Sequence, residues 1–389
     1  MRRIAVVTGS RAEYGILYST LRAIQDSTEL DLVLIVTGMH LSAEFGMTVD
    51  EITRDGFPIA ERVEMLLSSD TASAVALSMG VGMMGFARAY GRLKPDILLV
   101  TGDRFETFSA VAAAAPFGIP VAHLHGGEVT EGSVDELFRH AITKMSHIHF
   151  PANDVYADRI IQLGEDPDRV FTVGAPCLDN IMGLEPIERR ALARELGIPA
   201  ERPWGLVTYH PVTAGECGGG IGEILSSLGN FPGIYWIFTL PNADAGNARI
   251  RETVVAYVDG NPGGCRLFDS LGRRRYLSML GHSALMVGNS SSGIIEAPSF
   301  GLPVVNVGPR QKGRLRAANV IDVPECTADA VTRAIREAVS VEFRESLDGI
   351  DNPYYQGGAS EKIVSVLKSI PLDGIDAKRF NDMVPAGRY

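Results

Sequence analysis

The chain has 389 residues, of which 46% are hydrophobic and 21% are charged, and its formal net charge is −11. This length exceeds what one hydrophobic core usually supports, so two domains are expected. The acidic balance argues against a nucleic-acid or anionic-membrane surface. The apolar run at the amino terminus is too short for a signal peptide. No apolar stretch of membrane-spanning length is apparent elsewhere, so a cytoplasmic protein is expected.

The first half of the chain alternates β-rich runs with helical segments. Apolar runs predict strands at RIAVVTG, LDLVLIVTG, DILLVTGD, PVAHLHGG, HIHFPA and RVFTVGAP, and helices at TFSAVAAAAPFG and VDELFRHAITKM. The strands are almost continuous in valine, isoleucine and leucine. This pattern is typical of a parallel sheet whose two faces are both covered by helices.

The alternation of strands and helices is interrupted after GAPCLDNI. A charged predicted helix, PIERRALARELGI, then leads into a second series of strands. Its predicted strands are WGLVTYHP, IYWIFTLPN, CRLFDS, ALMVGNSS, PVVNVG and NVIDVP. The chain is therefore predicted to form two Rossmann-like, doubly wound α/β domains joined near residues 177–187. Ligands of such sheets bind beyond the carboxyl ends of the strands, so the polar loops of both halves are expected to line one interdomain cleft.

Two carboxylates stand where predicted strands end in the first half. Asp103 and Arg104 follow DILLVTG, where Asp103 either caps the next helix or lies at the floor of the cleft, with Arg104 as an anion contact. Glu128 follows the glycine pair of HGGE, which lets a ligand approach the backbone closely. Carboxylates that converge on a partly desolvated cleft have pKa values pushed apart, which supplies one acid and one base.

The predicted helix after HGGE carries further titratable residues. Asp135 and Arg139 are four residues apart, as are Glu136 and His140, so each pair shares one helical face. Asp135 is either a third catalytic carboxylate or a member of an ordinary salt bridge or helix cap. A role in catalysis is favoured because so many titratable groups follow one strand.

Metal and disulfide chemistry are both disfavoured. The His-x-His pairs at His123 and His147 suit a metal site, but they match no familiar helical ligand motif, and strand histidines commonly bond backbone or carboxylate groups. No C-x-x-C pair occurs, so reduced thiols are expected at the four cysteines, Cys177, Cys217, Cys265 and Cys326. No cofactor is expected either, because GECGGGIG (215–222) fails the G-x-G-x-x-G spacing and no G-x-x-x-x-G-K-S/T motif occurs. We interpret this run as a mobile loop.

The second half carries a predicted anion site. In GNSSSGIIEAPSFG, Ser291, Ser292 and their neighbours follow a strand and precede a helix, where free backbone N–H groups favour a phosphate. Glu296 either accepts hydrogen bonds from ribose hydroxyls or completes a capping box. Four cations follow the next strand in GPRQKGRLR, and together with Arg11 in the first half they suit a nucleotide diphosphate: Arg310, Lys312, Arg314 and Arg316.

These motifs together resemble the hydrolysing UDP-N-acetylglucosamine 2-epimerases of sialic-acid-type biosynthesis. The resemblance runs from TGSRAEYG through TGMH, GDRFE, HGGE, DELFRHAITKMSH, QLGE, YHPVT, LPNAD, GNSSSGIIEAPS and RQKGR to NPYYQGGAS. It implies the GT-B architecture of two Rossmann-like domains, here 1–177 and 178–359, with the ligand between them. It also implies that the carboxyl-terminal segment 360–389, including the helix SEKIVSVLKSI, returns to the first domain.

The resemblance implies a reaction in which UDP-N-acetylglucosamine and water yield N-acetylmannosamine and UDP. Anti elimination through a 2-acetamidoglucal precedes syn hydration, so the site needs a base, an acid and help for the departing diphosphate. By matching motifs, the catalytic residues are Asp103, Glu128, Asp135 and His210, and which carboxylate removes the C2 proton stays open. The substrate-binding residues implied in the same way are Arg11, His40, Arg104, Arg139, Asn242, Ser291, Ser292, Glu296 and Arg314.

Several alternatives remain at this stage. A subgroup with the same motifs acts on a GDP-linked 2,4-diacetamido-2,4,6-trideoxyglucose, on the route to legionaminic acid. A non-hydrolysing epimerase, a GT-B glycosyltransferase, a metallohydrolase and a non-catalytic nucleotide-sugar sensor fit the motifs less well. The run AGECGGG after HPVT departs from the family pattern. A homodimer or homotetramer is expected because these states are usual in the family.

Overall fold

The computed structural model describes residues 1–69, 71–131, 133–212, 220–240 and 247–382. Two compact units are formed within the chain. Unit 1 comprises residues 1–128, 135–180 and 354–389, and unit 2 comprises residues 129–134 and 181–353.

Unit 1 is built on a sheet of six parallel strands in the order β3-β2-β1-β4-β5-β6, the doubly wound Rossmann order. The strands are β1 (Arg2–Thr8), β2 (Leu30–Thr37), β3 (Ile59–Val63), β4 (Ile97–Thr101), β5 (Val121–Leu124) and β6 (Ile148–Phe150). The first seven α-helices of the chain are α1 (Arg11–Gln25), α2 (Val49–Arg54), α3 (Ala72–Leu93), α4 (Phe105–Ala114), α5 (Asp135–Met145), α6 (Asp154–Gln162) and α7 (Cys177–Met182).

Unit 2 repeats this architecture with six parallel strands in the order β12-β11-β10-β7-β8-β9. The strands are β7 (Trp204–Thr208), β8 (Tyr235–Thr239), β9 (Cys265–Phe268), β10 (Leu285–Gly288), β11 (Val304–Val307) and β12 (Val320–Val323). The helices are α8 (Arg189–Leu196), α9 (Ile221–Leu228), α10 (Asn247–Gly260), α11 (Arg273–His282), α12 (Ser292–Ile295), α13 (Ala328–Ala338) and α14 (Val341–Glu345). The predicted pair of Rossmann-like α/β domains is confirmed.

The last helix of the chain, α15 (Ala359–Ser369), belongs to unit 1. Its apolar face packs in the same core cluster as Leu17 and Leu21 of α1. The Asp179 carboxylate accepts hydrogen bonds from the first two backbone N–H groups of the helix, at 3.2 and 2.7 Å. Such an acceptor satisfies N–H groups that the helix itself leaves unpaired.

Two local predictions in unit 1 are wrong. The run RVFTVGAP forms no strand, because it pairs with the sheet only through an isolated bridge between Val170 and His149. Conversely, β3 was not predicted, since its sequence IAERV carries charges where the other strands are apolar. An edge strand needs less apolar sequence than a central strand because fewer helices cover it.

The helix α3 contradicts the expectation that no stretch is long and apolar enough for a membrane. By length and composition it would pass as one spanning helix, with a mean hydropathy of 1.2. Its inner face, including Phe86 and Tyr90, nevertheless packs in the core of unit 1. The mean hydropathy of α3 is high because apolar residues also occupy its outer face, where Met84 is 60% exposed.

The cysteine prediction holds in part. Cys177 and Cys265 are buried free thiols, as expected. Cys326 is disulfide-bonded, so the expectation of reduced thiols is wrong at that position. Separation along the sequence does not reveal which sulfur atoms a fold brings together.

Candidate active site

The turn between β4 and α4 presents the first predicted carboxylate. Gly102 adopts a left-handed conformation with φ of 75°, and its N–H donates to the carbonyl of Leu124 at 3.1 Å. The next residue, Asp103, forms an ion pair with Arg139 of α5. The Asp103 side chain is 22% exposed, whereas that of Arg139 is 1% exposed. A buried guanidinium therefore holds a carboxylate that solvent still reaches.

The helix α5 begins at Asp135 and supplies the second partner of Arg139. Glu136 accepts from Arg139 at 3.0 Å and pairs with His140 at 2.9 Å. Arg139 thus pairs with two carboxylates of unit 1, Asp103 and Glu136. This arrangement makes Arg139 an organiser of the acidic cluster, a role that the sequence-based assignment as a sugar contact did not include.

Glu128 is 1% exposed and lies against a histidine. The distance from His125 Nδ1 to Glu128 Oε1 is 2.6 Å. β5 ends at Leu124, and His125 has a left-handed φ of 62°, so His123 and His125 do not lie on one strand face as the metal hypothesis required. Within the described residues, no cluster of His, Cys, Asp or Glu is arranged to hold a metal ion.

Gly127 of the same loop has no room for a side chain. Its φ is 74°, and a Cβ atom there would overlap the backbone carbonyl of Tyr156. We expect Gly127→Ala to lower the free energy of unfolding by about 2 kcal/mol, through backbone strain and overlap together. Gly118→Ala is the control, since its φ is 63° but its Cβ would meet open space, and it should cost about 1 kcal/mol. Thermal unfolding gives the measurement, and equal losses of unfolding free energy in the two variants would contradict the predicted overlap at Gly127.

Arg104 is committed to a neighbouring carboxylate. Its Nε and Nη2 atoms both donate to Glu106, at 3.1 Å each. A second carboxylate, Glu13, accepts from the backbone of Gly9 at 2.6 Å and from Thr107 at 3.1 Å. Burial, and then the charge of Glu106, raise the pKa of Glu13 to about 7. If Arg104 binds substrate as predicted, the substrate has to compete with the bidentate ion pair between Arg104 and Glu106.

The loops after β1 and β2 place two further predicted residues. Arg11 is the first residue of α1, next to a capping box formed by Ser10 and Glu13. His40 is fully buried, and its ring nitrogens lie 3.0 Å from the Thr8 hydroxyl and 2.7 Å from the Thr48 hydroxyl. Burial lowers the pKa of His40 to about 3, so the ring is neutral. With both nitrogens engaged, His40 supports the loop after β1.

In unit 2, an asparagine that sequence reasoning missed holds the loop of His210. The Asn289 side chain accepts from the N–H of His210 at 2.7 Å and donates to its carbonyl at 3.0 Å. The backbone carbonyl of Asn289 accepts from Arg310 at 3.2 Å and from Gln311 at 2.8 Å. Asn289 thereby links three loops at the carboxyl ends of the strands. Its position directly after the strand, in GNSSSG, is the signal that could have identified it.

The serine loop forms a short chain of hydrogen bonds. Ser291 is the N-cap of the four-residue helix α12, and Ser292 is its first residue. Tyr276 donates to the Ser292 hydroxyl at 2.7 Å, and Ser292 bonds the Glu296 carboxylate. Burial raises the pKa of Glu296 to about 6, and the bond from Ser292 opposes that rise. Glu296 follows the last residue of α12, so the alternative of a capping-box glutamate is wrong.

The four cations of GPRQKGRLR are not equally available to a ligand. Lys312 pairs with Glu131 at 2.6 Å, and Arg316 pairs with Asp322. Arg310 contacts the Asn289 carbonyl, as described above. A diphosphate would therefore have to compete with these two carboxylates for Lys312 and Arg316. Asn242 and residues 213–219, which include the first five residues of the glycine-rich run GECGGGIG, lie outside the described residues.

Comparisons with known proteins identify the family. The model of a family described as UDP-N-acetylglucosamine 2-epimerase matches residues 22–368. A Campylobacter jejuni protein named GDP/UDP-N,N'-diacetylbacillosamine 2-epimerase (hydrolyzing) is 37% identical, over 98% of this chain and 99% of its own length. A Legionella pneumophila protein named UDP-N,N'-diacetylbacillosamine 2-epimerase (hydrolyzing) is 39% identical, over 96% of this chain and 97% of its own length.

A solved structure agrees in fold. The crystal structure of UDP-GlcNAc 2-epimerase from Neisseria meningitidis bound to UDP-GlcNAc has a TM-score of 0.81 with this chain. The two share 19% sequence identity over 94% of this chain and 99% of that structure. At this identity the likeness establishes the fold alone. The family match and the two relatives above 35% identity show that the chain belongs to the UDP-N-acetylglucosamine 2-epimerase family.

Proposed function

We propose that this chain is a hydrolysing 2-epimerase that converts a nucleotide-linked 2-acetamido sugar and water into the free 2-epimeric sugar and a nucleoside diphosphate. The observation that carries the proposal is the ion pair of Asp103 with the buried Arg139, which holds a solvent-reachable carboxylate in the same unit as the buried Glu128. Positioned carboxylates are the usual acids and bases of proton transfer at a sugar carbon.

The proposed reaction needs two proton transfers and one water. In the first step a base takes the proton from C2 and the C1–O bond breaks, with its electron pair leaving on the diphosphate. In the second step the hydroxyl of water adds to C1 and a proton adds to C2 on the same face of the ring. That face is opposite to the one from which the C2 proton was removed, so C2 is inverted. Asp103 is our candidate for direct contact with the sugar, because its side chain is 22% exposed while that of Glu128 is 1% exposed.

Unit 2 is proposed to bind the nucleotide part of the substrate. Asn289 holds the loops of His210 and Arg310 together, and the serine loop follows the same strand. An imidazole, a guanidinium and backbone N–H groups at strand ends are the groups that proteins use for a diphosphate. Glu296, hydrogen-bonded to Ser292, is proposed to accept from ribose hydroxyls.

The sugar is proposed to be N,N'-diacetylbacillosamine linked to UDP. The two relatives that are 37% and 39% identical both carry this sugar and UDP in their names. A Neisseria meningitidis protein named UDP-N-acetylglucosamine 2-epimerase is 31% identical over 98% of this chain. The higher identities support our choice of the diacetamido sugar, which the sequence analysis considered in its GDP-linked form. UDP-N-acetylglucosamine is the second candidate.

A turnover screen tests the proposal. The purified chain is incubated with UDP-linked and GDP-linked N,N'-diacetylbacillosamine and with UDP-N-acetylglucosamine in ¹⁸O-labelled water. We expect the highest kcat/KM for the UDP-linked diacetamido sugar, with the label at C1 of a free, 2-epimerised product. A higher kcat/KM for UDP-N-acetylglucosamine would select the second candidate. Release of no nucleoside diphosphate from any of the three would contradict hydrolysis altogether.

A further inference from the structure

Two buried histidines of the HLHGGE motif have no role in the reaction described so far. His123 is the third residue of β5 and is 0% exposed, between Val100 of β4 and His149 of β6. His125 follows the end of β5 and is 5% exposed. The His125 ring makes a short hydrogen bond to the candidate catalytic carboxylate of Glu128. The His123 ring makes one to Gly102, the residue before the candidate catalytic Asp103.

His123 connects the Asp103 turn to α5. Its Nε2 lies 2.7 Å from the carbonyl oxygen of Gly102, and its Nδ1 lies 3.2 Å from the Thr143 hydroxyl. Burial lowers the pKa of His123 to about 3, so the ring is neutral near pH 7 and carries one N–H. The carbonyl of Gly102 only accepts, so Nε2 is the donor and Nδ1 accepts from Thr143.

This bond acts in parallel with the ion pair of Asp103. Arg139 and Thr143 are four residues apart on α5 and therefore share one helical face. Arg139 holds the Asp103 carboxylate, while Thr143, through His123, holds the preceding Gly102 carbonyl. The turn is thus attached to α5 at two successive residues, which restricts both the backbone and the side chain of Asp103.

His125 holds the second carboxylate directly. Its Nδ1 lies 2.6 Å from Glu128 Oε1, and its backbone N–H donates to the carbonyl of Phe150 at 3.2 Å. Nε2 has no hydrogen-bond partner within the described part of the chain. The φ of 62° is strained for a histidine. A strained residue whose ring makes one short bond, to a candidate catalytic carboxylate, is typical of a site that positions a reactive group.

We propose that His123 and His125 are positioning residues of the epimerase reaction, His123 for the Gly102–Asp103 turn and His125 for the Glu128 carboxylate. This inference rests on the proposed function. The two rings use different nitrogens, Nε2 in His123 and Nδ1 in His125. That difference provides a test that separates positioning from simple packing.

The test replaces each histidine in turn with glutamine and with asparagine. The amide nitrogen of glutamine lies where histidine has Nε2, and that of asparagine lies where histidine has Nδ1. We expect His123→Gln and His125→Asn to keep kcat within about twofold of the parent chain. His123→Asn and His125→Gln should lower kcat about tenfold with little change in KM, since small displacements of reacting groups cost rate rather than binding. The dissociation constant for UDP, measured by calorimetry, should stay unchanged in all four.

Equal kcat values for the two amides at both positions would overturn the inference, as would a loss of kcat accompanied by an equal loss of UDP affinity. Crystal structures of the four variants give a readout that needs no turnover. The Glu128 carboxylate should stay in place in His125→Asn and move in His125→Gln, and the Asp103 turn should stay in place in His123→Gln and move in His123→Asn. If neither group moves in any of the four variants, the inference is also overturned. A parent chain that turns over no nucleotide sugar would contradict the proposed function instead, and the positioning geometry would then be judged on these structures.

Discussion

Replacing Asp103 with asparagine is expected to lower kcat by at least about 10²-fold, the usual order for removing a positioned acid or base. The change keeps the shape of the side chain but removes the charge that pairs with Arg139. Arg139 retains Glu136 as a partner at 3.0 Å, so the buried guanidinium is not left without a carboxylate. Steady-state kinetics on the best substrate of the screen give the measurement.

The matched control is Asp31→Asn, which removes the same charge from an exposed ion pair with Arg3 in the same unit. This control should keep the parent kcat. Glu128→Gln and Asp135→Asn are expected to be slow as well, since all three carboxylates are proposed to take part. Parent-like rates in all three variants, with unchanged thermal unfolding, would refute the assignment of the catalytic carboxylates.

Replacing Glu165 with glutamine is expected to destabilise the chain by about 3 kcal/mol, the lower end of the range found when one partner of a buried ion pair is removed, because its two lysine partners are partly exposed. The Glu165 side chain is 4% exposed and contacts Lys144 at 2.8 Å, Lys378 at 2.5 Å and His149 at 3.0 Å. Lys378 follows α15, so Glu165 anchors the carboxyl-terminal segment of unit 1. The neutral amide would leave two lysines without the charge that compensates them.

The contribution of Glu165 depends on pH in a defined direction. Burial alone would raise its pKa, but hydrogen bonds from His149, Lys144 and Lys378 outweigh burial and lower the pKa from 4.5 to about 2. A carboxylate with a lowered folded-state pKa stabilises the fold above its unfolded-state pKa and loses that contribution as pH falls. The difference in unfolding free energy between parent and Glu165→Gln should therefore be full above pH 4.5 and shrink toward pH 2.

Denaturant unfolding across this pH range provides the measurement. Glu29→Gln is the matched control, because Glu29 pairs with Lys368 at 3.3 Å but is 67% exposed. Removing an exposed ion pair should cost no more than about 1 kcal/mol. A loss of similar size in both variants, or a difference that does not change with pH, would contradict the role of Glu165.

The order of elements was readable from the sequence because of how parallel strands are buried. Strands such as ILLVT of β4 are buried along their whole length beneath helices such as α1 and α4, so their apolar runs are almost continuous and easily recognised. The edge strand β3 escaped recognition, since it carries a half-buried glutamate and an exposed arginine in its five residues. The apolar run RVFTVGAP looked like a strand, but Gly174 with φ of 93° and the following proline interrupt its extension.

The sequence by itself determined the two α/β series, the family resemblance and the positions of the candidate carboxylates, because each depends on residue types over short spans. The tertiary structure alone decided which groups meet. Arg139 pairs with Asp103 across 36 residues, and Asn289 holds His210 across 79. The same packing brings His123 to the carbonyl of Gly102 and His125 to the carboxylate of Glu128, contacts that the sequence did not reveal. Such partnerships depend on how strands and helices pack in space, and hydrophobic periodicity records only which face of each element is buried.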